Sequence, residues 1–384
     1  MRAKGELRVS DVAIIGGGAI GLAIAWSATA RGLSVTLADP APGSAASRVA
    51  AGMIAPAGEA WFGEDALLHL QLESARRYPE FVAQLEEASE RGCGYRESGA
   101  LLVAADSDEL QALPREMRLR RSLGLVETTA LSAAECRELE PGLAPSIRGG
   151  LLLRGDHQVD PRALLAALLV AVERAGVSLV RRRASLDVHA DRVRGLLLDD
   201  GTRVDAAQVV IAAGSWSGSI EGVPEEARPL VHPVKGQNLH LAQRQGPPLA
   251  TRVIRGNGIY VLPRGDGRYV IGATSEERGF DTTVTAGAVY ELLRDARTLL
   301  PDVTELELVE AAAGLRPGSP DNAPLIGCTT LDGLLVATGH YRNGILLTPV
   351  TADAVAAMLA GESAPDIVRW FTPQRFASPA LVSA

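Results

Sequence analysis

Asp11-Val-Ala-Ile-Ile-Gly-Gly-Gly-Ala-Ile-Gly21 decides the fold, because a continuously apolar run empties directly into a glycine loop and then into a helical pattern. Val12 to Ile15 read as a buried central strand, and Gly16, Gly18 and Gly21 take the glycine positions of G-x-G-x-x-G. Gly16 permits the tight turn, Gly18 lets backbone approach a pyrophosphate, and Gly21 lets the helix from Ala19 to Arg31 pack on the strand. At the start of that helix, Ala19 and Ile20 offer free N–H groups and a partial positive charge to phosphate. Gly32 suits the helix stop, Ser34 to Ala38 read as a second strand, and Asp39 with Pro40 closes it. An acidic side chain about 20 residues beyond such a loop accepts hydrogen bonds from a ribose and repels a 2′-phosphate. The unit therefore predicts an adenine dinucleotide, FAD or NAD in preference to NADP.

At 384 residues the chain is long enough for two domains, each with its own core. The net charge of −8 argues against a phosphate-backbone partner, so no nucleic acid is expected. Lys4 and Lys235 are the only lysines, which makes arginine the default cation and leaves placement as the only means of singling one out. Cys93, Cys136 and Cys328 are scattered without C-x-x-C spacing, so neither a metal site nor a disulfide framework is expected and a reducing compartment fits. Residues 1–9 lack the apolar centre of a signal peptide, and no stretch is apolar enough to span a bilayer. The expectation is a cytoplasmic protein without membrane contact.

Beyond the nucleotide unit, Pro40 to Gly58 is rich in small residues, a composition that lets backbone lie against something flat or charged. Helical patterns follow at 65–91, with Leu68, Leu72 and Tyr78 on one face, and at 106–123. Ser132-Ala-Ala-Glu135 is a capping box, and Asp160-Pro161 pairs an N-cap with proline at the first helical position. Residues 192–198 and 203 onward form a hairpin around Asp200-Gly201, and Gln208 to Gly214 reads as a further buried strand ending in glycine. From 231 to 274 the period changes to two, indicating an antiparallel sheet. A helix at 286–300 and a strand near 306–313 follow, then a buried strand, Gly333 to Gly339, and a helix at 351–359. Three separated strands thus stop at glycine on one nucleotide edge. This predicts a Rossmann-like α/β domain with a parallel sheet from residues 1–85, 145–225 and 310–384, and an α+β substrate domain on an antiparallel sheet from 86–144 and 226–309.

Ala50-Ala-Gly-Met53, Pro233-Val-Lys-Gly236, Tyr260-Val-Leu-Pro-Arg264, Gly314-Leu-Arg-Pro-Gly318 and Gly339-His-Tyr-Arg-Asn-Gly-Ile-Leu-Leu347 are short singly but specific in this order. Through them nearly the whole chain resembles the flavin-dependent D-amino-acid oxidase family, and within it the glycine oxidases of thiamine thiazole biosynthesis. The resemblance implies FAD, with Ala46, Ser47, Ala51, Gly52 and Met53 lining the flavin and its phosphates, Gly214 at the nucleotide edge, and Ser185 meeting adenine through backbone. It implies that Arg316 and Tyr260 bind the substrate carboxylate, with Arg342 beside the substrate. The flanking glycine and proline suit Arg316 to this role, since they fix the backbone and aim one planar fork. His340, Tyr341, Arg342, Asn343, Gly344, Ile345 and Leu346 leave a strand and enter a helix, so their N–H groups can meet the flavin pyrimidine edge.

The chemistry so implied is hydride transfer from an amine-bearing carbon, giving an imine that hydrolyses to an oxo acid and ammonia, or passes to thiazole-forming proteins, while oxygen becomes hydrogen peroxide. Glycine is the expected substrate, with sarcosine and small D-amino acids as alternatives. Another amine oxidase or dehydrogenase of the family, or a flavin-binding subunit without turnover, are competing readings. Gly314 stands where some sarcosine oxidases carry the flavin-linking cysteine, so the FAD is expected to be non-covalent. Ser275 departs from the glycine oxidase pattern and bears on the pocket wall. The resemblance also implies a homo-oligomer, taken as a tetramer. The histidines, including His69, His157 and His340, are assigned structural side chains.

Overall fold

In the computed structural model, which describes residues 9–125 and 127–376, the strand Ser10–Ile15 runs parallel between Val35–Ala38 and Arg203–Ile211. Leu334–Thr338 adds in parallel to the far side of Arg203–Ile211, and Ser178–Val180 to the far side of Val35–Ala38. The three strands expected to share one nucleotide edge are therefore adjacent, in the order 334–338, 203–211, 10–15. The helices Ala19–Ala30, Asp65–Ser89, Pro161–Arg174 and Thr348–Leu359 pack over this parallel sheet around Ile14, Leu22, Ile24 and Val355, none of them exposed. Each such side chain contributes about 1.5–3 kcal/mol on leaving water. The reading of residues 1–9 as free of a leader falls almost wholly outside the described residues.

The hairpin arm at 203 and the buried strand at 208 are one strand, Arg203–Ile211. Its first half pairs antiparallel with Arg192–Leu198, and its second half pairs parallel with the nucleotide strand. A second eight-stranded sheet is almost wholly antiparallel, and next to its edge strand Glu307–Gly318 lies His232–Ala242, which pairs with that strand and with Arg268–Gly272. Two features depart from the expected pieces. Gly149–Leu153, inside the stretch assigned to the nucleotide domain, belongs to this second sheet, and so does all of Glu307–Gly318. Both lie against strands from elsewhere in the chain, and such long-range pairing leaves no local signature.

Caps follow the sequence. Ser132 and Glu135 form the reciprocal capping box, and Asp160 accepts the N–H groups of Arg162 and Ala163 ahead of Pro161. On the helix Asp65–Ser89 the buried face includes Leu68 and Tyr78 as expected, together with Leu67, Leu70, Gln71, Ser74 and Phe81, while Leu72 is only half-buried. Tyr78 and Ser74 face inward because they hold carbonyls of the C-terminal loop: Tyr78 donates to Ile345 O at 3.1 Å and Ser74 to Leu346 O at 2.6 Å.

Candidate active site

Gly16 has a φ of +114°, and a Cβ there would lie 2.6 Å from the carbonyl carbon of Ala212. The turn closes only because that atom is missing. Next to it Gly214, φ +55°, follows the end of Arg203–Ile211, and its carbonyl accepts from Thr338 Oγ1 at 3.1 Å. The N–H groups of Gly18 and Ile20 take no acceptor among the described residues, while Ala19 N donates to Ser47 Oγ at 3.1 Å. That bond brings the small-residue segment to the glycine loop. Asp39, half-buried at its strand end, accepts Gly17 N at 2.6 Å and Ala41 N at 2.7 Å, with Pro40 exposed beside it.

From Ala46–Val49, a single helical turn, the segment runs through Ala51 and Gly52 to Met53–Ile54. Gly52 has a φ of +82°, and a Cβ on it would come within 2.8 Å of Pro161 Cδ. Arg264 locks this segment in place. Its Nη2 donates to Ala51 O at 2.6 Å and its Nη1 to Val159 O at 2.8 Å. Burial lowers the Arg264 pKa to about 10, so the side chain stays charged at neutral pH. Across the sheet edge Asn343 and Ile345 are buried, and Tyr341 takes a φ of +47°. The N–H groups of Ile345 and Leu346 take no acceptor among the described residues, while their carbonyls accept from Tyr78 and Ser74. His340 is buried against Thr351 Oγ1 at 3.1 Å, and burial lowers its pKa to about 3, so it is a neutral structural residue.

Arg316 lies near the end of Glu307–Gly318, opposite Val234. Its Nη1 donates to Thr274 O at 3.0 Å, and its Nε and Nη2 take no acceptor among the described residues. The guanidinium lies over Gly236, where a Cβ would be 2.5 Å from its Cζ. Tyr260 repeats the device, since a Cβ on Gly272 would be 2.5 Å from the tyrosine Cζ. Burial raises the Tyr260 phenol pKa, with Arg316 drawing it down and Glu59 raising it, and no protein partner meets the hydroxyl among the described residues. Arg342 is exposed, 5.0 Å over the Tyr341 ring and 3.9 Å from Glu59 Oε2.

The comparisons with known proteins agree with this geometry. The profile of the family described as DAO, FAD dependent oxidoreductase, matches residues 11–358. The chain belongs to that family. The oxidoreductase is 36% identical over 352 residues to glycine oxidase of Geobacillus kaustophilus, covering 91% of this chain and 92% of that one. The crystal structure of glycine oxidase from Geobacillus kaustophilus superposes with a TM-score of 0.88 at 34% identity, over 95% of this chain and 98% of that one. A bifunctional ThiO/ThiG protein of Synechocystis is 35% identical over 96% of this chain, which spans 54% of that protein's length. The structure of iminodiacetate oxidase from Chelativorans superposes at TM-score 0.86 and 28% identity, over 94% of this chain and 98% of that one.

The residues fit the cofactor of the family. Among the described residues the N–H groups of Gly18 and Ile20 take no protein acceptor and would suit a diphosphate, the Asp39 carboxylate at the end of the second strand would suit a ribose, and the Gly16 turn leaves no space for a side chain. Ser185 lies apart from these, in Ala184–His189, with its hydroxyl donating to Leu197 O at 3.2 Å. Ser275 is exposed next to Thr274. Sequence reasoning missed Ser74, Arg264, Gly236, Gly272 and Glu59. Of these only Arg264 and Gly236 had a local signal, as the last residues of two quoted motifs. In the oxidoreductase no helix among the described residues is long and apolar enough to cross a membrane.

Proposed function

We propose that the chain is an amino-acid oxidase acting on glycine, with sarcosine and small D-amino acids as weaker substrates, oxygen as acceptor and hydrogen peroxide, ammonia and an oxo acid as products. The observation that carries this reading is the paired arrangement of Arg316 and Tyr260, each seated over a glycine, with Nε and Nη2 of Arg316 and the Tyr260 hydroxyl taking no protein acceptor among the described residues. Arg316 binds the substrate carboxylate through its fork, and Tyr260, kept protonated by its raised pKa, adds a second donor. Bound FAD supplies the hydride acceptor. Arg264 holds the cofactor-lining segment against the strand that carries Tyr260, and the Ser47 bond holds it to the glycine loop, so the substrate carbon is oriented by fixed backbone. His340 is buried and bonded to Thr351, away from the substrate donors, so it serves the structure; hydride departure needs no general base, because the amine lone pair of the substrate forms the C=N bond as the hydride leaves.

Gly314 supports non-covalent FAD, since it offers no thiol and packs so that a Cβ would lie 3.0 Å from Val49 Cβ. The Synechocystis relative supports a place beside thiazole-forming proteins as recipients of the imine. A cytoplasmic homo-oligomer, a tetramer, completes the proposal. The test is anaerobic bleaching of the bound flavin by glycine, followed by peroxide assays with Arg316→Ala. Stranding the carboxylate costs about 2–5 kcal/mol, roughly thirty-fold to several-thousand-fold in kcat/KM. The variant keeps its flavin spectrum. An equal loss on an amine without a carboxylate overturns the proposal.

A further inference from the structure

Beside the Arg316–Tyr260 pair stands a second cationic group that the reaction does not use. Arg255, at the end of Val253–Arg255, donates from Nη2 to Glu59 Oε1 at 2.7 Å. The other Glu59 oxygen lies 3.9 Å from Arg342 Nη1. Arg342 makes no hydrogen bond with a protein acceptor among the described residues, and its guanidinium is instead placed over the rings of Tyr341 and, 6.0 Å away, Trp61. Glu59 thus spans two guanidiniums with its two oxygens, and its side chain is only 13% exposed. Its position is not that of a loose surface carboxylate. The N–H groups of Ala57 and Gly58 donate to the fully buried Asp156 at 2.9 and 2.8 Å, which anchors the segment one residue before Glu59. Gly58 lies close to both groups, since a Cβ there would come 2.7 Å from Asp156 Oδ2 and 2.8 Å from Arg255 Nη1.

Resting on the function proposed above, we infer that Glu59 sets the substrate class by occupying the seat of a second substrate carboxylate, confining the enzyme to amines that carry one. Two guanidiniums separated by one carboxylate form a receptor for a dicarboxylate, and Glu59 fills it from within the protein. A substrate such as N-(carboxymethyl)glycine, held through one carboxylate by Arg316 and Tyr260, brings its second carboxylate toward Arg342 and meets the Glu59 charge. Like-charge juxtaposition in a partly dry site is a device of exclusion. Neutralising Glu59 leaves Arg342 with only Glu64, which makes no ion pair with it, and Arg255 with only Asp156 behind it, so the seat opens to an incoming anion. The bond changes stay those of the proposed reaction, with FAD and then oxygen as oxidants.

The experiment uses the FAD-loaded enzyme and its Glu59→Gln and Glu59→Asp variants. The first readout is the ratio of kcat/KM on N-(carboxymethyl)glycine to that on glycine. The second is equilibrium binding of two inert ethers, diglycolate with two carboxylates and methoxyacetate with one, which needs no turnover. Glu59→Gln should raise both the catalytic ratio and the diglycolate-to-methoxyacetate affinity ratio at least about tenfold, equivalent to about 1.4 kcal/mol. Glu59→Asp, which keeps the charge, should leave both ratios low. A wild-type enzyme that handles the dicarboxylate as efficiently as glycine, or ratios that stay flat in Glu59→Gln, overturns the inference. Failure of glycine to reduce the wild-type flavin would instead strike the underlying functional reading.

Discussion

Gly236→Ala separates the substrate clamp from the fold that carries it. Gly236 sits in His232–Ala242 directly opposite Gly314, with no positive φ, so alanine suits its backbone. Its new methyl would lie 2.5 Å from Arg316 Cζ and Nη2, and an ordinary contact begins at 3.4 Å, so the guanidinium must retreat by about 1 Å. The far end of an arginine moves easily. Folding is therefore hardly affected, and the smaller entropy of an unfolded alanine even offsets part of the cost. Catalysis has no such tolerance, because the retreat breaks the 3.0 Å bond to Thr274 O that aims the fork. A misplacement of about 1 Å costs on the order of 100-fold in rate, near 2.7 kcal/mol. The expected result is a yellow protein of almost wild-type urea midpoint whose kcat/KM for glycine falls about 100-fold. Steady-state peroxide assays alongside urea unfolding decide it. Full glycine efficiency in Gly236→Ala would show that Arg316 does not work from the position described, and the carboxylate clamp would have to be abandoned.

Arg264→Met strands Ala51 O and Val159 O, at about 1–3 kcal/mol for each buried acceptor. It should lower the urea midpoint and speed FAD release together; loss of stability with flavin release unchanged would show that Arg264 does not position the cofactor-lining segment. His340 has a folded pKa of about 3 against 6.5 in the open chain, so its neutral form stabilises the fold above pH 6.5 and that contribution is lost as pH falls toward 3. His340→Gln should therefore flatten the acid side of the stability profile between those values, read from urea midpoints in a pH series; an unchanged slope would remove His340 from the acid response.

How far the sequence foretold this arrangement depended on whether the signal was local. The strand, glycine loop and helix from Asp11 to Ala30 were legible because turn, phosphate site and close packing each demand glycine at a fixed offset. Caps at Asp160 and Ser132 were legible for the same reason. Arg203–Ile211 was read as two pieces because its neighbours change midway from an antiparallel to a parallel partner, and nothing in nine consecutive residues announces that. Arg316 was singled out by its motif and the family resemblance, beyond a strand expected near 306–313, and the structure continues that strand through Gly318. The glycines beneath Arg316 and Tyr260 belong to other strands, brought there by sheet register. Glu59 and Arg255 find each other across 196 positions, a separation at which pairing rules are silent.

Gly236, Gly272 and Gly314 give the pocket an asymmetric evolutionary future. At these positions a Cβ would meet the Arg316 guanidinium, the Tyr260 ring and Val49 in turn, and no amino acid is smaller than the ones already there. Any substitution at these three positions adds atoms and presses on the side chains seated there, so drift along the floor runs one way, toward displacing them. Change without that cost must come from elsewhere, as in residues 55–64, which carry Glu59 and leave Trp61 and Phe62 exposed to solvent with side chains available for trimming. New substrate preferences in this lineage should accordingly be written in that segment, while the floor acts as a ratchet.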